Sequence, residues 1–252
     1  MVNPRYKIDL KSKSRNEFFL IHGYSGSPTD FCELPSFLHK QFKANVKCDI
    51  LPGHCTDLED LNKFNLKDFI ENVENSLKKE IKSGKKIVLV GISFGAQLAL
   101  YLASKYPVKG LILCSITHIL KFPFNIPGID ILKHIKKNLK KNYHSNELEL
   151  RKKAFYYESI PTKSITMTKE LRKLGDSRLK KINVPILFVH SRKEHLGNYT
   201  SVDYISNRVT SKIKDKYILN MPNHNLFYSD KRKEVVSNIL NFISKTKLIN
   251  KN

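Results

Sequence analysis

The chain has 252 residues, a length that fits one α/β domain with an insertion and a substantial hydrophobic core. Its hydrophobic content of 40% is ordinary for a globular protein, no apolar stretch is long enough to span a membrane, and the N-terminus lacks the apolar region of a signal peptide. The four cysteines show no metal-binding spacing, so we expect reduced thiols in a cytoplasmic protein.

The net charge of +22 is the unusual feature of the composition. Such a charge favours anionic partners, which include nucleic acid, acidic lipid surfaces and acidic substrates. The basic residues are scattered, however, and no nucleic-acid-binding motif or interleaved aromatic ladder accompanies them. Because lysine, asparagine and isoleucine are abundant together, the codon bias of an AT-rich genome explains the charge better. We therefore expect no nucleic-acid partner, while weak association with an anionic membrane surface stays open.

Apolar runs alternate with helical patterns along most of the chain, which predicts a mostly parallel sheet with helices on both faces. The first 16 residues can supply at most one short strand. The predicted strands are Glu17–His22, Asn45–Ile50, Lys86–Val90, Val108–Cys114, Val184–His190 and Lys216–Leu219. The predicted helices of this alternating part are Pro28–Gln41, Leu66–Ser83, Ala96–Ala103 and Lys231–Ser244.

The alternation stops between residues 117 and 181, where three helical patterns follow one another: Ile129–Lys141, Asn146–Tyr157 and Thr162–Leu174. We expect this segment to be a small helical cap, inserted into a single domain of residues 1–252. Its place is above the carboxyl ends of the strands, where an α/β sheet binds its ligand. A helical layer that only stabilises the domain is the alternative.

A G-x-S-x-G motif occupies residues 91–95, after a predicted strand and before a helical pattern rich in small residues. Strand, motif and helix together are typical of a nucleophile elbow, a turn so sharp that Ser93 takes a strained backbone conformation between glycines. The turn raises the serine hydroxyl above the sheet, and the following helix directs its N-terminal amides toward a developing oxyanion. A glycine-rich turn with an unreactive serine is the alternative.

A nucleophilic serine needs a histidine as its base and an acid that orients the histidine. After an elbow, the acid follows a later strand and the histidine follows the last strand. His224 lies between the last predicted strand and the last predicted helix. Glu194 is the only carboxylate in the loop after the strand Val184–His190, and Asp203, which lies further along in a predicted helix, is the alternative acid.

Two backbone amides are expected to form the oxyanion hole. The amide of Phe94 follows the nucleophile directly, and the second amide is that of Tyr24, in the loop after the first core strand. The His-Gly pair that opens this loop allows the chain to turn back toward the site, although a simple turn would use the same residues. In the later Gly53-His54 pair we expect a structural histidine that bonds to backbone.

The chain resembles α/β-hydrolases, and especially small bacterial carboxylesterases and monoacylglycerol lipases, in five segments: LIHGYSGSPTDF, LPGH, VGISFGAQLALYLA, LFVHSRKEH and NMPNHNLF. The resemblance covers residues 16–245. It implies an α/β-hydrolase fold, a mostly parallel sheet flanked by helices with a small helical cap. The family's functional residues match Ser93, Glu194 and His224 as the catalytic triad and Tyr24 and Phe94 as the oxyanion hole. The chain departs from the family where Glu194 replaces the usual aspartate and where residues 53–55 read GHC instead of GHG.

The resemblance implies a serine hydrolase that cleaves small-molecule carboxylic esters, either short- to medium-chain acyl esters or monoacylglycerols, through an acyl-enzyme and without a metal or organic cofactor. The expected cap is too short for a large mobile lid, but its apolar side chains can line a modest pocket: Ile119, Leu120, Phe122, Phe124, Ile126, Ile129 and Leu132. Thioesterase or lysophospholipase activity, or a binding protein with this fold and no chemistry, are the alternatives.

Overall fold

A sheet of seven strands organises the computed structural model, which describes residues 6–141, 155 and 157–249. A separate pair of short strands lies in the segment expected to form the cap. The nine strands are β1 (Ile8–Leu10), β2 (Asn16–Ile21), β3 (Asn45–Cys48), β4 (Lys86–Ile92), β5 (Gly110–Cys114), β6 (Asn138–Lys140), β7 (Ser159–Pro161), β8 (Ile186–Ser191) and β9 (Lys214–Leu219) among the described residues.

The large sheet has the strand order β1-β3-β2-β4-β5-β8-β9. Every neighbouring pair in it is parallel except β1 and β3 at the edge, so the predicted mostly parallel sheet is confirmed. Side chains of the central strand β4 alternate between two apolar layers. Ile87 and Leu89 pack on one face, and Val88 and Val90 pack on the other. This alternation is why an uninterrupted apolar run forms a strand that is buried on both faces.

Helices cover both faces of the sheet. They are α1 (Leu34–Phe42), α2 (Leu58–Leu61), α3 (Leu66–Lys82), α4 (Phe94–Ala103), α5 (Leu132–Ile135), α6 (Lys163–Asp176), α7 (Thr200–Ser206) and α8 (Arg232–Thr246) in the described residues. Apolar side chains of α3 and α4 join the layer of Ile87, whereas those of α1 and α8 join the layer of Val88. None of the helices that the structure describes has the length and apolarity that a membrane span requires.

The predicted helix Pro28–Gln41 is wrong in its first turn. A 3₁₀ turn spans Pro28–Phe31, Cys32 has a positive φ of 46°, and α1 starts only at Leu34. The physical reason is Pro35, which has no amide hydrogen and therefore fits the first turn of a helix but not its interior.

The predicted helix Ile129–Lys141 is wrong in its second half. A 3₁₀ turn and the single helical turn α5 end at Ile135, after which residues 138–140 form β6, antiparallel to β7. Lysines at positions 133, 136, 137, 140 and 141 would stand one turn apart on a continued helix, where like charges repel one another. Pairing with β7 satisfies the backbone and spreads the charges instead.

The other two helical patterns of this segment have different outcomes. The pattern Thr162–Leu174 corresponds to α6, and the pattern Asn146–Tyr157 falls mostly outside the described residues. The antiparallel β6–β7 pair means that the described part of residues 117–181 is not purely helical. That this segment acts as a cap stays a prediction.

A buried carboxyl group lies at the start of β2. The Glu17 side chain is only 1% exposed, and its Oε1 atom has no hydrogen-bond partner among the described residues. Burial, followed by the negative charge of Glu80, raises the pKa of Glu17 from 4.5 to about 7, against the opposing charges of Lys85, Lys47 and Lys11. The folded chain therefore holds a proton on Glu17 that an unfolded chain releases near pH 4.5.

Replacing Glu17 should change how stability depends on pH. In the wild type the raised pKa costs stability progressively as pH rises from about 4.5 to 7, and Glu17→Gln removes this loss. We expect the free energy of unfolding of the variant, relative to that of the wild type, to increase by about 1–3 kcal/mol as the pH rises from 5 to 8. Urea denaturation at both pH values measures the difference. The control is Glu71→Gln, an exposed glutamate on α3, and a pH-independent difference for Glu17→Gln would contradict the prediction.

Candidate active site

The turn between β4 and α4 places Ser93 at the carboxyl end of the central strand. Ser93 has φ 56° and ψ −118°, a backbone conformation that residues other than glycine rarely adopt. A Cβ on Gly91 would lie 2.4 Å from the carbonyl oxygen of Gly95, and a Cβ on Gly95 would lie 2.2 Å from the carbonyl oxygen of Ile21. Both glycines are thus required by close backbone contacts, and the strained elbow expected from the motif is present.

His224 contacts the serine directly. Its Nε2 atom lies 2.8 Å from the Ser93 Oγ atom. The loop that carries His224 follows β9 and is anchored on both sides. Ser191, at the end of β8, exchanges two hydrogen bonds with the backbone of Met221, and the Asn225 side chain donates to the Asp30 carbonyl. These anchors hold the imidazole over the turn between β4 and α4.

Glu194 stands behind the imidazole and is completely buried. The backbone amides of Leu196 and Gly197 donate to its two carboxylate oxygens at 2.6 and 2.7 Å. Its Oε2 atom is 3.1 Å from the Nδ1 atom of His224, at an angle short of an in-line hydrogen bond. The carboxylate therefore lies on the side of the imidazole opposite Ser93, where it can orient the ring.

The Glu194 carboxyl group keeps its charge despite its burial. Burial alone raises its pKa, but His224, then His190 and the amide of Leu196, outweigh this effect and hold the pKa below its usual value. The alternative acid, Asp203, lies on the exposed surface of α7, where Lys216 donates to it at 2.7 Å. The structure therefore brings Glu194, and not Asp203, to His224.

The loop after β2 brings Tyr24 beside Ser93, and both line the same cavity together with Phe94. The loop turns back tightly, with the Gly26 amide donating to the Gly23 carbonyl at 3.1 Å. The Tyr24 and Phe94 rings meet edge to face at 5.7 Å. The two residues expected to form the oxyanion hole thus contact each other and line the cavity with the serine.

Two buried histidines brace this loop through backbone contacts. His54 accepts from the Ser25 amide at 2.9 Å and lies 2.9 Å from the Pro52 carbonyl, as expected for a structural histidine. His22, whose bracing role the sequence did not reveal, accepts from the Leu51 amide at 3.0 Å. Burial is the main cause that lowers the pKa of both imidazoles, which therefore remain neutral and able to accept these bonds.

The cavity above Ser93 has a volume of about 390 Å³. Its wall is largely apolar and includes Leu120, Phe122, Phe124, Leu139, Ile160 and Ile165. Three of the seven apolar residues expected there do line it, whereas Ile119, Ile126, Ile129 and Leu132 do not. The β6–β7 pair, which the sequence did not reveal, supplies Leu139 and Ile160 in their place.

Charged residues that the sequence did not place there also line the cavity. They are Asp30, Lys140 and Lys141. The lysines at positions 136, 137, 140 and 141 were the sequence signal for positive charge near the site. Which of them line the cavity depends on the β6–β7 pairing.

Comparisons with known proteins agree with this architecture. Residues 17–129 match the family model described as the alpha/beta hydrolase fold. The chain is 27% identical to the thermostable monoacylglycerol lipase of Bacillus sp. (strain H-257), over 78% of this chain and 77% of that protein. It is 23% identical to the carboxylesterase of Bacillus subtilis (strain 168), over 90% of this chain and 91% of that protein.

The fold is shared with solved structures. The monoacylglycerol lipase of Paleococcus ferrophilus superposes with a TM-score of 0.78 at 14% identity, covering 96% of this chain and 98% of that chain. The predicted α/β-hydrolase fold and the resemblance to esterases and monoacylglycerol lipases are therefore confirmed.

The close approach at Gly95 can be tested through stability. Gly95→Ala would force a Cβ against the backbone of β2, which cannot move alone, so we expect a loss of about 2–4 kcal/mol. The matched control is Gly175→Ala in α6, where a Cβ meets open space and helix propensity predicts a gain of up to about 1 kcal/mol. Urea denaturation measures both, and equal effects would contradict this account of the turn.

Proposed function

We propose that this chain, which has the α/β-hydrolase fold, is a serine hydrolase that cleaves carboxylic esters through an acyl-enzyme. The observation that carries the proposal is the 2.8 Å contact between Ser93 Oγ and His224 Nε2, with the buried Glu194 carboxylate on the other side of the imidazole. A nucleophile, a base and an orienting acid in this arrangement activate a hydroxyl for attack on a carbonyl carbon. The related monoacylglycerol lipase and carboxylesterase support the choice of an ester.

The first half of the reaction forms the acyl-enzyme. Ser93 Oγ attacks the ester carbonyl carbon while its proton passes to His224 Nε2, and the carbonyl electron pair moves onto the oxygen. The amides of Tyr24 and Phe94 stabilise that oxyanion, and Glu194 stabilises the imidazolium. When the oxyanion collapses, the bond to the alcohol oxygen breaks, and His224 returns the proton to the departing alcohol.

The second half of the reaction regenerates the serine. His224 takes a proton from a water molecule, whose oxygen attacks the acyl carbon, and the oxyanion again receives the amides of Tyr24 and Phe94. Collapse breaks the bond to Ser93 Oγ, which regains the proton from His224, and the carboxylic acid leaves. The same three side chains thus serve both half-reactions without a net change in the protein.

The cavity supports small ester substrates. A volume of about 390 Å³ with largely apolar walls suits an acyl chain of short to medium length, or a monoacylglycerol, better than a triacylglycerol. In this proposal residues 117–181 are the cap of the single domain, because Leu120, Phe122 and Ile160 lie over Ser93 in the cavity wall.

The Ser93→Ala variant tests the proposed function. Because the members of such a triad act as one unit, we expect it to lose about 10⁴-fold or more in kcat on 4-nitrophenyl butyrate and octanoate. A fluorophosphonate probe should label the wild type and not the variant. The control is Ser83→Ala, in which an exposed serine at the end of α3 is removed. Substantial hydrolysis by Ser93→Ala, or a wild type that neither reacts with the probe nor turns over esters, would overturn the proposal.

The identity of the acid is tested by comparing Glu194→Gln with Asp203→Asn. Glu194→Gln keeps the size of the side chain but removes the charge that stabilises the imidazolium, so we expect kcat to fall about 10²–10⁴-fold. Asp203→Asn removes an exposed partner of Lys216 and should change kcat less than about twofold. The opposite ranking would move the acid to Asp203.

A further inference from the structure

Two lysines in the cavity have no part in the chemistry of ester hydrolysis. Lys140 is the last residue of β6, where it pairs with Ser159 of β7. The amide of Lys141 donates to the carbonyl of Glu158 at 2.8 Å, which extends this pairing by one bond. The β6–β7 pair therefore fixes the backbone of both lysines at the edge of the cavity that they line.

The ammonium group of Lys141 lies against the loop that carries Tyr24. Its Nζ atom donates to the Ser25 Oγ atom at 2.8 Å. Its charge also reaches His54, where it adds a smaller effect to burial and to the charge of His22 in lowering the pKa of the imidazole. Because the rings of His54 and Tyr24 are 5.4 Å apart, these contacts place the positive charge close to the proposed oxyanion hole.

The described residues of the cavity wall carry a net positive charge. Asp30 is its one carboxylate among the described lining residues, against Lys140 and Lys141. The Asp30 side chain is only 3% exposed and is engaged within the protein, where it accepts from the Tyr228 hydroxyl at 3.1 Å and from the Ser27 amide at 3.4 Å. In this largely apolar wall, where charges are weakly screened, an anion of the ligand would be attracted to the lysines.

We propose that Lys141, assisted by Lys140, binds an anionic group on the substrate, so that the preferred esters carry a carboxylate or phosphate a few bonds from the ester carbonyl. This inference rests on the proposed ester hydrolysis and names its substrate class. The apolar part of the cavity takes the hydrocarbon portion, while the ammonium group of Lys141 binds the anion. Lys141 is thereby a specificity-determining residue.

The experiment compares pairs of esters that differ only in the anionic group. One pair carries it on the acyl side, 4-nitrophenyl hydrogen glutarate against 4-nitrophenyl pentanoate. The other carries it on the alcohol side, 1-butyrylglycerol 3-phosphate against 1-butyrylglycerol. The measured quantity is the ratio of kcat/KM for the anionic ester to kcat/KM for its neutral partner. Lys141→Met should lower this ratio about tenfold in at least one pair, since a hydrogen bond to a charged group is lost.

Two further variants test whether the effect comes from the positive charge of Lys141 at this position. Lys141→Arg keeps the charge and should retain most of the ratio. Lys137→Met removes an exposed lysine of the same segment that does not line the cavity, and should leave the ratio and the neutral-ester activity unchanged. The pair with the larger effect identifies a carboxylate on the acyl side or a phosphate on the alcohol side.

The possible failures can be told apart. Ser93-dependent hydrolysis of the neutral esters, with a ratio that Lys141→Met leaves unchanged in both pairs, overturns this inference and leaves the proposed function standing. An equal fall of the ratio in Lys137→Met overturns it as well, because a general surface charge would then explain the preference. Hydrolysis that persists in Ser93→Ala overturns the proposed function itself.

Discussion

The close contact between the start of α4 and the end of β2 is the constraint on which the rest of the site depends. Only a residue without a Cβ at position 95 lets the helix approach the carbonyl oxygens of Ile21 and His22. This approach fixes the turn that holds Ser93 in its unusual backbone conformation. Since β2, β4, β8 and β9 are parallel, their following loops all open at the same edge of the sheet. The serine, the imidazole and the carboxylate meet there because the sheet brings those loops together.

Around this turn the protein buries polar groups in two different ways. The neutral imidazoles of His22 and His54 satisfy backbone amides, which gives the loop of Tyr24 a fixed shape without adding charge. Glu194, in contrast, stays charged in a fully buried position, because backbone amides and His224 compensate for the loss of water. Burial by itself would favour the protonated acid. A carboxylate prepared in this way can stabilise an imidazolium without reorganising, which is consistent with the proposed mechanism.

The charged residues of the segment above the sheet shape both its fold and its proposed specificity. Repulsion between lysines one turn apart accounts for a helix that ends at Ile135 and a chain that pairs with β7 instead. That pairing aligns Leu139 with the apolar wall and brings Lys141 to Ser25. Two of the many lysines of this chain thus lie beside the cavity. Codon bias is still the simpler explanation for most of the net charge of +22.

The sequence by itself determined the order of strands and helices in the large sheet, the elbow at Ser93 and the position of His224 after the last strand. These features depend on patterns within a few residues, namely apolar alternation, paired glycines and a histidine between the last strand and the last helix. It left the acid open between Glu194 and Asp203, and it predicted a helix where β6 lies. Only the tertiary structure showed that Glu194 is the carboxylate beside His224, that residues 138–140 pair with β7, and that Lys141 reaches Ser25, 116 positions away. Each depends on contacts between distant segments, which local periodicity does not encode.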